Sequence, residues 1–321
     1  MKTYPVPARI VRDLKTVEAS LGTMMAAYPG DLGQPARHVV ESGGKRLRPA
    51  LVLISGQAGD YDYDALEPVA VCAELLHTAT LVHDDILDGA AERRGRETVN
   101  GRWSEPIALA TGNMLLAASF AALCGRAAPR VMTGMTVAAE LLSAGETMQQ
   151  QALRDTALSI EDYTRRVCYK TASLFAACCE LGGVAGGATE TDTRALKQFG
   201  ECLGLAFQVF DDVLDIVADE AKLGKPVGAD VRDGTVTLPA IYALAADASG
   251  ELKTILEDPE APEEAVRRAL GIIVACGGVE RAKSDAREYV SRALESIEHV
   301  SRKALKSELT AIGEFVVDRY N

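Results

Sequence analysis

Residues 69–87 and 203–214 are apolar on nearly every side if wound as helices, and each stretch runs into a cluster of aspartates. A helix without a polar face has to be central in a large helical assembly, because only there is every side covered. Segments of helical length and period follow one another along the chain, at 66–85, 106–123, 131–151, 160–181 and 194–216, with Pro and Gly between them. Few runs alternate with a period of two. Alanine and leucine are abundant and aromatics make up only 5%, a mix that favours helices over strands. The polar, proline-bearing stretch 247–264 reads as a loop between helices, not a domain linker. The expectation is an all-α chain, one large helical domain over residues 1–321.

Charge and cysteine usage exclude several functions. Lys and Arg number 34 and Asp and Glu 46, a net charge of −12, which argues against a nucleic-acid partner. The seven cysteines are odd in number, form no C-x-x-C pair and sit in apolar stretches. Buried reduced thiols in a cytoplasmic protein are expected. The N-terminal MKTYPVPARI lacks an apolar signal region. The most apolar stretch, 107–125, is interrupted by Thr111, Gly112, Asn113 and Ser119, so a buried helix is expected and not a membrane span.

The aspartate clusters are DDILD at 84–88 and DDVLD at 211–215. On a helix, positions four apart lie on one face, so Asp84 and Asp88 point the same way, as do Asp211 and Asp215, with Asp85 and Asp212 flanking. Carboxylates at that spacing repel one another, and a hard divalent cation relieves this. Magnesium suits such oxygen ligands and completes its shell with water and substrate phosphates. A solvated acidic helix end explains one such motif about as well. Two copies, each following an apolar helix, point to metal and diphosphate.

Three basic clusters would supply the remaining counter-charge. In GGKRLRP at 43–49 the glycines let the backbone turn towards an anion, and Lys45 and Arg48 would share a face if the turn is helical. A capping loop with solvent-facing charges is the alternative. Arg93 and Arg94 lie just beyond Asp88, where they could meet two anions or pair directly with the aspartates. Lys170, beside Thr171 on a helix, and Lys225 in GKPVG at 224–228 form the third group.

In order along the chain stand GGKRLRP, ELLHTATLVHDDILD, RRG, GETMQ, KTA, FQVFDDVLD, GKPVGAD and TLP. In these motifs the chain resembles the trans-prenyl diphosphate synthases, or polyprenyl synthetases. The resemblance implies an isoprenoid synthase bundle with a deep central apolar cavity, a homodimer, and magnesium, three ions per active site. It implies that Asp84, Asp88 and Asp211 ligate the metal, supported by Asp85, Asp212 and Asp215. Arg93, Lys170 and Lys225 would hold the allylic diphosphate, and Lys45, Arg48, His77 and Arg94 isopentenyl diphosphate. Gln208 and Thr171 would line the reacting region. A lone histidine on an apolar helix is usually a core residue, but His77 lies two turns before Asp84 and on its face. The implied reaction ionises the allylic diphosphate, joins the cation to isopentenyl diphosphate and loses a proton.

The growing chain would pass Ala79, Thr80 and Leu76, each turn advancing roughly 5 Å. Ala79 and Thr80 are small, which points to a product longer than farnesyl diphosphate, in the range of quinone side chains; Ala79→Phe is expected to shorten it. Geranylgeranyl or farnesyl diphosphate synthesis is the alternative. There is no transmembrane segment in this reading, only peripheral membrane contact for product release. Two positions depart from the family pattern: Asn113, where Gly-Asp is common, and Thr235, where many members have a lysine. Some heptaprenyl-type subunits also lack that lysine and require a small partner, so a partner-dependent or non-catalytic subunit is the reading from another class. A terpene cyclase would lack GGKRLRP and the second motif, and a metal phosphohydrolase needs more histidines than this chain has.

Overall fold

The computed structural model describes residues 6–28, 30–93, 95–218 and 227–318. Among the described residues the regular structure is helical, apart from one hairpin of two-residue strands. The chain divides into two compact units. One comprises Met1–Glu140, Leu174–Gly200 and Ser296–Ile312; the other comprises Leu141–Ser173, Glu201–Glu295 and Gly313–Asn321.

In the first unit, α1 (Ala8–Ala26), α2 (Gly33–Glu41) and α3 (Leu47–Ser55) precede the long α4 (Tyr63–Leu87). Asp62 caps α4 by accepting a hydrogen bond from the Asp64 amide, and no glycine interrupts its 25 residues. From Leu66 to Leu76 every side chain is buried, Glu67 and Glu74 included, as a central helix requires. Its main partner is α6 (Glu105–Leu123), with α3 and α1 also against it. Between α4 and α6 lie the strands β1 (Glu92–Arg93) and β2 (Arg96–Glu97) and the short α5 (Val99–Arg102). Gly112 lets α6 come close: a Cβ there would lie 2.3 Å from His83 Nε2.

After α7 (Pro129–Gln151), the second unit holds α8 (Ile160–Val167), capped by Ser159, whose hydroxyl accepts from the Asp162 amide. The sequence predicts one uninterrupted helix over 160–181. Instead the chain widens into a π turn at Cys168–Ala172 before α9 (Ser173–Ala185). No glycine or proline marks that change; it coincides with close packing on α7, where a Cβ on Gly145 would lie 2.3 Å from the Lys170 nitrogen. Next comes α10 (Glu190–Val217), and then α11 (Ala229–Asp233), α12 (Leu238–Ala246), α13 (Glu251–Glu257), α14 (Glu263–Ala275), α15 (Gly278–Ser296) and α16 (Lys303–Asp318). The expected loop at 247–264 is corrected by α13. Its Leu252, Ile255 and Leu256 are buried, a one-turn apolar pattern short enough to be lost among polar neighbours.

Among the described residues two helices, Tyr63–Leu87 and Glu105–Leu123, are long and apolar enough to cross a membrane. In the first, 78% of the apolar window is buried inside the protein, and in the second 44%.

Candidate active site

Both aspartate motifs lie at the C-terminal ends of long helices, DDILD closing α4 and DDVLD in the last two turns of α10. The helix dipole makes that end unfavourable for carboxylates and favourable for cations. The placement therefore concentrates a demand for positive charge.

In the first motif Asp84 is half-buried, Asp85 buried and Asp88 exposed. Asp85 is held from the hairpin, where Arg93 Nε donates to its Oδ1 at 2.5 Å. This is a direct pairing of Arg93 with an aspartate, one of its two readings. The hairpin pairs Glu92 with Glu97 and Arg93 with Arg96. Its base is tied down by Thr98, whose hydroxyl donates to the Ala90 carbonyl at 2.7 Å. Arg94 lies outside the described residues. His77 is half-buried, and its carbonyl accepts from Thr80 Oγ1 at 2.8 Å. Beside Asp84, burial lowers the pKa of His83, and a hydrogen bond with Asn113 opposes that shift. Asn113, one of the two departures from the family pattern, thus braces the residue next to Asp84.

The GGKRLRP segment does not form the helical turn that would put Lys45 and Arg48 on one face. Gly43 has φ 72° and Arg46 φ 50°, and α3 begins only at Leu47. Arg46 anchors the segment: it ion-pairs with the buried Glu74, pairs with Glu18 at 3.3 Å and donates to the Val40 carbonyl at 2.8 Å. The Arg48 guanidinium lies over the Phe175 ring, 4.8 Å from its centroid.

In the second motif Asp211 is exposed while Asp212 and Asp215 are buried. Asp212 accepts from the Tyr163 hydroxyl at 2.6 Å and from Gln208 Nε2 at 2.8 Å. Gln208 in turn accepts from the Thr171 hydroxyl at 2.9 Å. Burial pushes the Asp212 carboxyl up to about 7, against the pull of those hydrogen bonds. Asp215 accepts from the Asp230 amide at 2.9 Å, and burial followed by the charge of Asp215 holds the Asp230 carboxyl well above its ordinary range. Lys170, on the π turn, is ion-paired with Glu146. Lys225 lies outside the described residues.

The six aspartates thus differ in kind. Asp85, Asp212 and Asp215 are buried and engaged by the protein, whereas Asp84, Asp88 and Asp211 reach the surface to differing degrees. Among the described residues no three His, Cys, Asp or Glu side chains form a metal cage. Such a donor set fits magnesium, which is commonly held by one or two carboxylates while water and phosphates complete the shell.

Tyr163, Glu146 and Asp230 were not assigned roles from the sequence. Glu146 and Asp230 stand inside the GETMQ and GKPVGAD motifs, which offered a signal; Tyr163 is in no motif. On α4, Leu76 and Ala79 are 2% and 1% exposed, and Thr80 is half-buried.

Fold and site together define a largely helical protein with two acidic helix ends, the first braced by Arg93 and the second by Tyr163, Gln208 and the Asp230 amide. The polyprenyl synthetase family model matches residues 30–273. Heptaprenyl diphosphate synthase component 2 of Bacillus subtilis is 35% identical over 96% of this chain and 88% of its own length. Nonaprenyl diphosphate synthase of Mycobacterium tuberculosis is 33% identical over 95% of this chain and 91% of its own. A crystal structure of polyprenyl synthase from Caulobacter crescentus, complexed with calcium and isoprenyl diphosphate, superposes with a TM-score of 0.92 at 30% identity, covering 100% of both chains. The chain belongs to the polyprenyl synthetase family and is an enzyme, a prenyltransferase.

Proposed function

We propose that the protein condenses isopentenyl diphosphate with an allylic prenyl diphosphate and makes an all-trans product longer than farnesyl diphosphate. The observation that carries this reading is the pair of aspartate motifs, each at the carboxyl end of a helix and each with an outer carboxylate open to solvent. Magnesium, when bound, would neutralise diphosphate oxygens and ease departure of the leaving group. Asp84, Asp88 and Asp211 would hold it. Asp85, Asp212 and Asp215 would act through position, fixed by Arg93, Tyr163, Gln208 and the Asp230 amide.

The chain's own cations would take the rest of the anionic charge. Arg93 and Lys170 are paired with Asp85 and Glu146, so a diphosphate competes with those carboxylates for them. Lys225 is assigned to the same allylic diphosphate. Lys45, Arg48, His77 and Arg94 are assigned to isopentenyl diphosphate. The allylic C–O bond breaks, the double bond of isopentenyl diphosphate forms the new C–C bond, and a proton leaves to the released diphosphate. Gln208 and Thr171 orient the reacting region, and apolar helices such as α4 keep water from the allylic cation.

Product length is assigned to the face of α4 ahead of Asp84. Ala79 and Leu76 are closely packed, so the path is narrowed to the side of Thr80. The small residue there, and the long-chain names of the relatives, support a long product. A homodimer is supported by α6, where Leu109, Asn113, Ala117 and Ala121 form an exposed stripe four residues apart that a second copy would cover. The name of the Bacillus relative, a component 2, keeps a small partner subunit as an outcome to be tested. We keep one domain as the organisation, because the family match runs unbroken from 30 to 273.

The test is incubation with magnesium, labelled isopentenyl diphosphate and geranyl, farnesyl or geranylgeranyl diphosphate, followed by chromatography of the dephosphorylated products. Products beyond fifteen carbons are expected. Products that stop at farnesyl would overturn the length assignment, and folded protein that elongates no primer would leave the partner-dependent reading.

A further inference from the structure

α2 and the arginine hairpin are tied together by hydrogen bonds, the shorter of them made by a histidine outside every motif. His38 lies in the last turn of α2, and its Nε2 donates to the carbonyl of Glu97 on β2 at 2.7 Å. A carbonyl only accepts, so Nε2 carries the proton, and Nδ1 accepts from the Arg102 guanidinium at 3.4 Å. Trp103 meets the imidazole edge-on at 5.4 Å between centroids, and Arg102 lies over the same indole at 4.8 Å. A second strand residue reaches the same helix end, Arg96 donating to the Glu41 carbonyl at 3.4 Å. A surface cavity of about 230 Å³ opens beside this group, so hydrogen bonds and ring contacts, not close packing, make the connection.

What the tie joins is significant. Four residues after His38 the chain leaves α2 through Ser42, whose hydroxyl donates to the His38 carbonyl at 2.6 Å, and enters the segment bearing Lys45 and Arg48. On the other side, β2 pairs with β1, which carries Arg93 against Asp85. The two cationic segments are 45 residues apart in sequence, counting from Arg48 to Arg93, and His38 is bonded to Glu97 of the hairpin and to Ser42, the residue just before the other segment.

We propose that His38 is a positioning residue, holding the Gly43–Arg48 segment and the arginine hairpin in register so that their cations meet the two diphosphates together. This rests on the proposed function, in which both segments bind diphosphate. A histidine serving only the fold would change the amount of folded enzyme; a positioning histidine changes KM.

The experiment compares wild type, His38→Ala, His38→Gln and Lys45→Ala, measuring kcat, KM for isopentenyl diphosphate, melting temperature and tryptophan emission. Trp103 is the only tryptophan of the chain, so its emission reports on the surroundings it shares with His38 and Arg102. His38→Ala is expected to shift the emission and to raise KM by roughly three- to tenfold, the scale of one lost hydrogen bond, with kcat within about twofold. His38→Gln keeps an N–H donor for the Glu97 carbonyl and is expected to restore KM. Unchanged KM in His38→Ala overturns the proposal, as does a drop in kcat and melting temperature without a change in KM, or failure of His38→Gln to restore KM. Lys45→Ala separates the two levels. If it raises KM while His38→Ala does not, the positioning role alone fails; if neither raises KM, the diphosphate role of the Gly43–Arg48 segment fails with it.

Discussion

Asp212 is the most enclosed carboxyl of the second motif, and both its oxygens are engaged, by Tyr163 and by Gln208. Removing an outer partner of a metal-binding carboxylate typically costs 10- to 100-fold in metal affinity or activity. Asp212 supports Asp211, the residue assigned to the metal, so Tyr163→Phe is expected to raise the half-saturating magnesium concentration by about tenfold while the fold persists. The check is initial rate against magnesium concentration, and an unchanged half-saturation point would contradict it. The sequence made the six aspartates legible, because D-D-x-x-D at the end of an apolar run is local. It could not make Tyr163 legible. Tyr163 and Asp212 are 49 residues apart, and nothing near Tyr163 distinguishes it from an ordinary core aromatic. Arg93 was legible only as two alternatives, because its choice between Asp85 and an outside anion depends on a hairpin that two-residue strands do not announce.

The long helices were readable because apolar period and Gly/Pro punctuation agree over 20 or so residues; α4 and α6 follow the predicted spans closely. The π turn at Cys168–Ala172 was not, since it is set by packing. Gly145 lies in that packing, where a Cβ would come within 2.3 Å of the Lys170 backbone nitrogen. Gly145→Ala puts a methyl group against the Lys170 backbone, and overpacking of this kind costs about 1–3 kcal/mol. A lower denaturation midpoint and reduced turnover are expected, with the lysine displaced from Glu146; full stability in urea titration would refute the account of the turn. On α4, Thr80→Phe is expected to shorten the product by at least one isoprene unit, read by chromatography. Ala79→Phe, which the sequence alone leads one to expect to shorten the product, is now expected mainly to destabilise, because Ala79 is 1% exposed and a ring would overpack it. A shorter product from Ala79→Phe together with no change from Thr80→Phe would reverse that assignment.

For the whole molecule, composition argued against a nucleic-acid partner and pointed to buried thiols. Cys72, Cys178 and Cys179 are buried. Burial pushes Cys72 and Cys179 up to about 12 and Cys178 well above its ordinary value. The thiolate is the reactive form, so at pH 8 these three should resist iodoacetamide in the native protein while the exposed Cys124 reacts; peptide mass spectrometry before and after denaturation checks this. The division into two compact units was not legible, because each is assembled from segments distant in sequence. The central claim is that both aspartate motifs bind diphosphate through a divalent cation. Calorimetric titration of a non-hydrolysable allylic diphosphate analogue into wild type, Asp84→Ala and Asp211→Ala, with magnesium and with EDTA, tests it most directly. Binding that requires magnesium in wild type and weakens at least tenfold in each variant is the predicted result. Equal affinity in EDTA, or in both variants, would contradict it.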